Sequence, residues 1–302
     1  MIIPPFLKTG DKVAIVNPGK VLPKEALTQA ITLLEEWGLT VVPGAHVLEK
    51  HNQFAGRDEQ RLFDFQKALS DPDIQAIFCA RGGYGSVRII DQLDFTSFLD
   101  HPKWIIGYSD ITVFHTHLNR NHRTATIHGP MPLEFKDRDK RKEALEQLQS
   151  MLFGKPATIQ IDGHPFNRSG EAEGELVGGN LSVLAGLSGT NSDLETDGKI
   201  LFLEDLCEEL YHLDRMMFTL KKSGKLKNLQ GLIIGGFTDM TDVSGWFKGE
   251  AYDIIQEHLS DYNYPVAYRF PTGHIHRNYP IINGGRYRLE VSSLETRLGY
   301  QF

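Results

Sequence analysis

The chain has 302 residues, 40% of them hydrophobic and 24% charged, which is room for one large or two ordinary domains around a packed core. A formal net charge of -7 argues against nucleic acid or an anionic membrane surface as the main partner. The opening Met1-Ile2-Ile3-Pro4-Pro5 has no basic segment ahead of a long apolar run, so neither a signal peptide nor a membrane span is expected.

Residues 11–16 read as a buried parallel-type strand, with a turn at Asn17-Pro18-Gly19. Residues 22–37 carry Ala26, Leu27, Ala30, Ile31 and Leu34 at helical spacing, and Gly38 follows as a C-cap. A second strand at 39–43 completes a strand-helix-strand unit, which predicts a doubly wound parallel sheet. No G-x-G-x-x-G follows the first strand, so a dinucleotide cofactor is not expected. Residues 58–69 form an amphipathic helix that Asp71-Pro72-Asp73 stops, and 74–80 form a third strand. This strand runs into Arg81-Gly82-Gly83-Tyr84-Gly85-Ser86, and 86–93 read as a helix. Glycines just past a strand let backbone N–H groups approach a ligand, although a tight turn needing positive φ would select them equally.

The organising stretch is Trp104-Ile105-Ile106-Gly107-Tyr108-Ser109-Asp110-Ile111-Thr112. An apolar strand stops at a glycine and a helix begins just after Ser109. A serine at such a corner can present its hydroxyl to a carbonyl, with the Asp110 backbone N–H at the positive end of the helix. Only half of the G-x-S-x-G pattern is present, and a Ser-Asp pair opening a helix also serves as an N-cap. Further strands are expected at 126–128, 199–205 and 229–237, and helices at 112–118, 182–186, 210–220 and 250–259. The polar segment 137–152 reads as a solvated helix face. The Pro/Gly-rich stretch 154–174 is a linker or a pair of short strands, and places the boundary between domains at 1–155 and 170–302. Residues 285–302 alternate with period two and close the chain as antiparallel strands.

Cys79 and Cys207 lie far apart and read as reduced core thiols of a cytosolic protein. His115 and His117 are two apart on a helix and face different ways, and no H-E-x-x-H or C-x-x-C occurs, so no metal is expected. Glu204 ends an apolar strand and needs a buried partner; His274 in a Pro/Gly-rich loop and Arg215 are both available. A serine, a base and an orienting carboxylate suffice for acyl transfer, but spacing alone does not select these three.

Several stretches together resemble the LD-carboxypeptidase family, the murein tetrapeptide carboxypeptidases of serine peptidase family S66. They are Phe54-Ala55-Gly56-Arg57, Arg81-Gly82-Gly83-Tyr84-Gly85, Gly107-Tyr108-Ser109-Asp110, His128-Gly129-Pro130-Met131, Gly178-Gly179-Asn180-Leu181, Phe202-Leu203-Glu204-Asp205 and Gly273-His274, in the family's order. The resemblance implies an N-terminal α/β domain like class I glutamine amidotransferases and a smaller, swivelling C-terminal β/β/α domain. It implies a cytoplasmic homodimer without cofactor or metal that removes terminal D-alanine from murein tetrapeptide by cleaving an L,D-amide. The family's nucleophile maps onto Ser109, its acid onto Glu204 and its base onto His274. The oxyanion donors map onto the backbone N–H of Asp110 and one from Gly82-Gly83, with Gly83 preferred, and Arg81 is the cation suggested for the substrate carboxylate. Competing expectations are a microcin-immunity-type relative acting on acyl-adenylate analogues and a non-catalytic binding module. The turn Asn17-Pro18-Gly19-Lys20 departs from the family's usual Ala-Pro-Ser.

Overall fold

Short apolar runs alternate with amphipathic segments through the first half of the chain, and each run becomes a parallel strand. These are β1 (Lys12–Val16), β2 (Thr40–Pro43), β3 (Ile74–Cys79), β4 (Trp104–Gly107) and β5 (Thr126–His128). The helices between them are α1 (Lys24–Glu36), α2 (Asp58–Ser70), the single turn α3 (Thr96–Asp100) and α4 (Thr112–Asn121). The computed structural model describes every residue from 1 to 302 except Ser244. On α1 the buried face is Ala26, Leu27, Ala30, Leu33 and Leu34. Each leucine so covered contributes about 1.5–3 kcal/mol, more than the intrinsic helix propensity of such a segment.

Helix α5 (Lys142–Leu152) leads to β6 (Ile159–Asp162), β7 (Gly170–Asn180), α6 (Leu181–Gly186) and β8 (Ile200–Leu206). Then come α7 (Leu210–Lys222), β9 (Gly231–Thr238), α8 (Ala251–His258), β10 (Val266–Ala267), β11 (Ile281–Asn283), β12 (Gly285–Val291) and β13 (Glu295–Tyr300). Two sheets result. The first has strand order β11-β5-β4-β3-β1-β2 and the second β10-β9-β8-β7-β12-β13-β6. The first is parallel apart from β11, which returns from the second half of the chain to pair antiparallel with β5. In the second, β7 to β10 are parallel, while β12, β13 and β6 are antiparallel.

Several local expectations change. Residues 86–93 form two 3₁₀ turns, Ser86–Arg88 and Ile90–Gln92, rather than one helix. A segment this short cannot sustain a helix alone, and Ser86 is tied by its N–H and hydroxyl to Asp110. The stretch 154–174 holds strands of the second sheet, β6 and the start of β7. The segment 137–152 is not simply solvated: Ala144, Leu145, Leu148, Met151 and Leu152 are buried. Only Cys79 is a core thiol, and burial holds its pKa well above the usual range; Cys207 is exposed.

The two sheets meet where β7 runs past the start of α4. Gly179 lies so close that an added Cβ would stand 2.5 Å from Thr112 Oγ1. The next residue, Asn180, donates its backbone N–H to that same hydroxyl at 3.1 Å.

Candidate active site

Ligands of parallel sheets sit beyond the carboxyl ends of strands, and the sequence-derived residues collect there. β4 ends at Gly107, and the chain turns through Tyr108 into a 3₁₀ turn, Ser109–Ile111, that feeds α4. Ser109 has φ +65°, a left-handed conformation that is costly for a residue with a Cβ. It is half-buried, and its side chain makes no capping bond, so the N-cap role does not explain it. Gly107 leaves room for the turn: a Cβ there would approach the Ile111 side chain to 2.7 Å.

The glycine loop after β3 is fastened to this turn from both sides. A Cβ on Gly82 would stand 3.3 Å from Ser109 Cβ and 3.4 Å from the Asp110 nitrogen. The Gly82 carbonyl accepts the Lys20 N–H at 3.1 Å. In a planar trans peptide the following N–H, that of Gly83, points the opposite way from this carbonyl. It has no backbone acceptor among the described residues, and the Asp110 N–H opens a helical turn that cannot use it. The Asp110 carboxylate is buried and accepts the Ser86 N–H and hydroxyl at 3.0 and 2.8 Å. Burial pushes its pKa up, and the Ser86 bonds oppose that. Arg61, fully buried, donates to the Pro18 carbonyl and to Asp58 beneath the same loop. Arg81 donates to the Val21 carbonyl at 2.6 Å, so part of its guanidinium braces the loop.

Glu204 lies in the interior of β8, fully buried, where the register with β9 shifts between Leu203 and Asp205. Such a bulge re-aims a side chain beside a site. Its partner is His274, with Nδ1 2.6 Å from Glu204 Oε2, and the His274 backbone N–H reaches the same oxygen at 3.2 Å. Arg215 instead lies over the Tyr211 ring. Gly273 makes the approach possible, since at φ +97° an added Cβ would fall 2.5 Å from Glu204 Oε2. Burial disfavours the imidazolium, but Glu204, with Asp205 and Glu134, outweighs it and raises the His274 pKa above its ordinary value. Neighbouring Asp205 is pushed up to about 7 by burial and by the Glu204 charge, against N–H bonds from Leu206, Asn180 and Ser182.

The imidazole of His274 packs on Tyr108, centroids 4.8 Å apart, which sets it beside the residue preceding Ser109. No hydrogen bond joins Ser109 to His274 among the described residues; contacts of this kind commonly tighten only when substrate binds. A cavity of about 330 Å³ lies alongside, lined by Gly83, Tyr84, Asp110, Val113 and Ser182. A larger one, about 600 Å³, lies behind the His274 loop against Thr238, Pro271 and Ile275 and touches none of Ser109, Glu204 or His274. His115 bonds the Gly107 carbonyl and His117 the Ser192 hydroxyl, so they diverge. Among the described residues, no group of three or more His, Cys, Asp or Glu is placed to hold a metal ion.

A second buried network has no counterpart in the sequence reading. Tyr108 donates to Glu134 Oε1 at 3.0 Å, and the Met131 N–H to Oε2 at 3.0 Å. Arg141 pairs with Glu134 at 2.9 Å and donates to the Ile275 carbonyl at 3.0 Å. Arg141 thus leaves the supposedly solvated segment to join the nucleophile turn to the histidine loop. No motif in the sequence marks it: Met131 offers no side-chain cap, and only Glu134 reaches back, to the Met131 N–H.

The family models of the LD-carboxypeptidase N-terminal and C-terminal domains match residues 13–129 and 173–289. The chain belongs to the LD-carboxypeptidase family. A probable murein peptide carboxypeptidase of Bacillus subtilis is 35% identical over 90% of this chain and 86% of its own. A murein tetrapeptide carboxypeptidase of Pseudomonas aeruginosa is 32% identical over 87% and 88%. The crystal structure of a muramoyltetrapeptide carboxypeptidase from Oxalobacter formigenes superposes with a TM-score of 0.88 at 29% identity, covering 96% of this chain and 99% of that one. The family's two-domain architecture and serine-peptidase class therefore hold for this LD-carboxypeptidase. A microcin C7 self-immunity protein of Escherichia coli is more distant, 25% identical over 89% of this chain.

The Glu134–Arg141 pair is nearly enclosed, with side chains 8% and 15% exposed. Removing one partner of such a pair typically costs about 3–5 kcal/mol. Arg141→Ala should lose about that much stability in urea unfolding. Arg138→Ala, which breaks the exposed pair with Glu36, should lose about 0.2–1 kcal/mol.

Proposed function

We propose that this LD-carboxypeptidase releases terminal D-alanine from murein tetrapeptide by hydrolysing the L,D-amide, with Ser109 as nucleophile, His274 as base and Glu204 as its orienting acid. The observation that carries the reading is the buried Glu204–His274 pair, packed at a tilt against the residue that precedes a strained, uncapped serine. His274 Nδ1 is held by Glu204, which leaves Nε2 to take the Ser109 proton. Ser109 attacks the amide carbonyl, and the N–H groups of Asp110 and Gly83 receive the oxyanion; one such donor is worth about 2.7–4 kcal/mol of barrier. His274 then protonates the leaving amine, and water hydrolyses the acyl-enzyme. The setting that accompanies this reading is a cytoplasmic homodimer. Exposed Cys207 without a disulfide fits a reducing compartment, and no helix among the described residues is long and apolar enough to cross a membrane.

The second reading, a peptidase of acyl-adenylate analogues, rests on the likeness to the microcin C7 self-immunity protein. It uses the same three side chains, and a substrate pair separates the two: the main reading requires faster turnover of tetrapeptide than of an aminoacyl-sulfamoyl adenosine. Ser109→Ala should lower kcat on tetrapeptide by about 10⁴-fold or more while circular dichroism stays native. Unchanged turnover would reject the nucleophile.

The pH profile offers a further check. His274 works as the free base, so its raised pKa places the acidic limb of kcat/KM above the range of an ordinary histidine. The groups that face it are Glu204, Asp205, Glu134, His128 and Tyr108. Glu204→Gln removes the charge that favours imidazolium. Its residual activity should therefore show the acidic limb displaced to lower pH, and a limb that stays or rises would contradict the pairing.

A further inference from the structure

A carboxypeptidase has to recognise a free carboxylate, and a buried or half-buried anion needs a cation or several N–H donors. Four basic side chains surround the glycine loop that borders Ser109. Arg61 is fully buried and bound to Pro18 and Asp58. Arg88 is paired with Asp58 at 2.7 Å. Arg81 reaches the Val21 carbonyl. Lys20 differs: its ammonium makes no ion pair or hydrogen bond among the described residues.

Lys20 is nevertheless held at this place. Its backbone N–H is bound to the Gly82 carbonyl at 3.1 Å, and its own carbonyl accepts Asn17 Nδ2 at 2.9 Å. Its aliphatic stem lies across Gly83, so close that a Cβ added to that glycine would stand 2.7 Å from Lys20 Cδ and 3.1 Å from Cε. Gly82, one residue back, abuts Ser109. The stem is thus laid on Gly83, which lines the cavity beside Asp110, on the loop assigned to the oxyanion. In a scissile amide the carboxylate carbon of the leaving residue lies within about 4 Å of the carbonyl carbon under attack. A cation fixed to the oxyanion loop is in range of it, and a lysine with a packed stem and a free head suits a monodentate contact.

We infer that Lys20 receives the α-carboxylate of the departing D-residue and so restricts this enzyme to removal of a C-terminal residue. The inference rests on the catalytic reading above, and the test separates the two. The probes are a murein tetrapeptide ending in D-alanine and the same peptide ending in D-alaninamide. A charge-assisted hydrogen bond of about 1.5–3 kcal/mol corresponds to roughly 10- to 150-fold. The wild-type enzyme should prefer the free acid by about that ratio in kcat/KM. In Lys20→Met the ratio should fall towards one, chiefly through a higher KM for the acid, and Lys20→Arg should keep most of the preference. A Lys20→Met enzyme that retains the wild-type ratio overturns the assignment. So does an Arg81→Met enzyme that loses the ratio while Lys20→Met keeps it. Should Ser109→Ala still cleave the acid peptide, the catalytic reading itself fails and takes this one with it.

Discussion

The site depends on a carboxylate placed where water cannot reach it. Glu204 is fully buried within a strand of the second sheet. An isolated charge there would be strongly unfavourable, and it persists by being shared with an imidazole and a backbone N–H. That sharing fixes the path of the loop from Thr272 to His274. Only a glycine can occupy position 273, because any Cβ would collide with the carboxylate. The bulge at Glu204, the left-handed glycine and the histidine tautomer are one arrangement seen at three places. Removing the carboxylate would release the loop, the ring and the charge balance together.

A histidine held this way is useful only if the serine turn is held relative to it, and the two come from different sheets. Two polar chains bridge the gap. One runs from Tyr108 through Glu134 and Arg141 to the Ile275 carbonyl. The other runs from Asp205 through Asn180 to Thr112 at the start of α4. Both chains begin or end on a residue adjacent to the proposed triad or a few positions away from it. They tie the two sheets together beside the proposed nucleophile and base, whose separation is where small misplacements matter most. Strand β11 adds a covalent tie, because the chain leaves the histidine loop and enters the first sheet within a few residues.

Most of the parallel strands and the longer helices were legible because each carries its period in its own residues, as α1 does with Ala26, Leu27, Ala30 and Leu34. The strand-to-turn corner at Ser109 was legible for the same reason, as was the need of Glu204 for a partner. What periodicity could not give was the choice of partner: His274 or Arg215 for Glu204 is a question of tertiary distance, and only the resemblance to known sequences favoured the histidine. The segment 86–93 was misjudged because its helical spacing competes with the hydrogen bonds of Ser86 to Asp110, a contact 24 positions away. Arg141 was misjudged because it stands in a run of charged residues, and nothing in such a run marks the member that folds inward.

Part of the left-handed backbone borders the same crevice. Of the residues with left-handed backbone, Gly83, Gly85, Ser109, Gly178, Gly179 and Gly273 lie around it. They follow β3 and β4 of the first sheet, lie near the end of β7 in the second, or belong to the histidine loop. Glycine carries this strain cheaply at five of the six, and at each the missing Cβ is also what lets a neighbour approach: Lys20, Arg61, Phe202, Thr112 or Glu204. Ser109 is the exception, and a hydroxyl cannot be had from a glycine. A strained serine surrounded by permissive glycines is what results when one position must keep a reactive side chain and every other must make room for it. In the proposed mechanism the reactive group is thereby confined to one residue, while the backbone around it offers N–H groups and clearance.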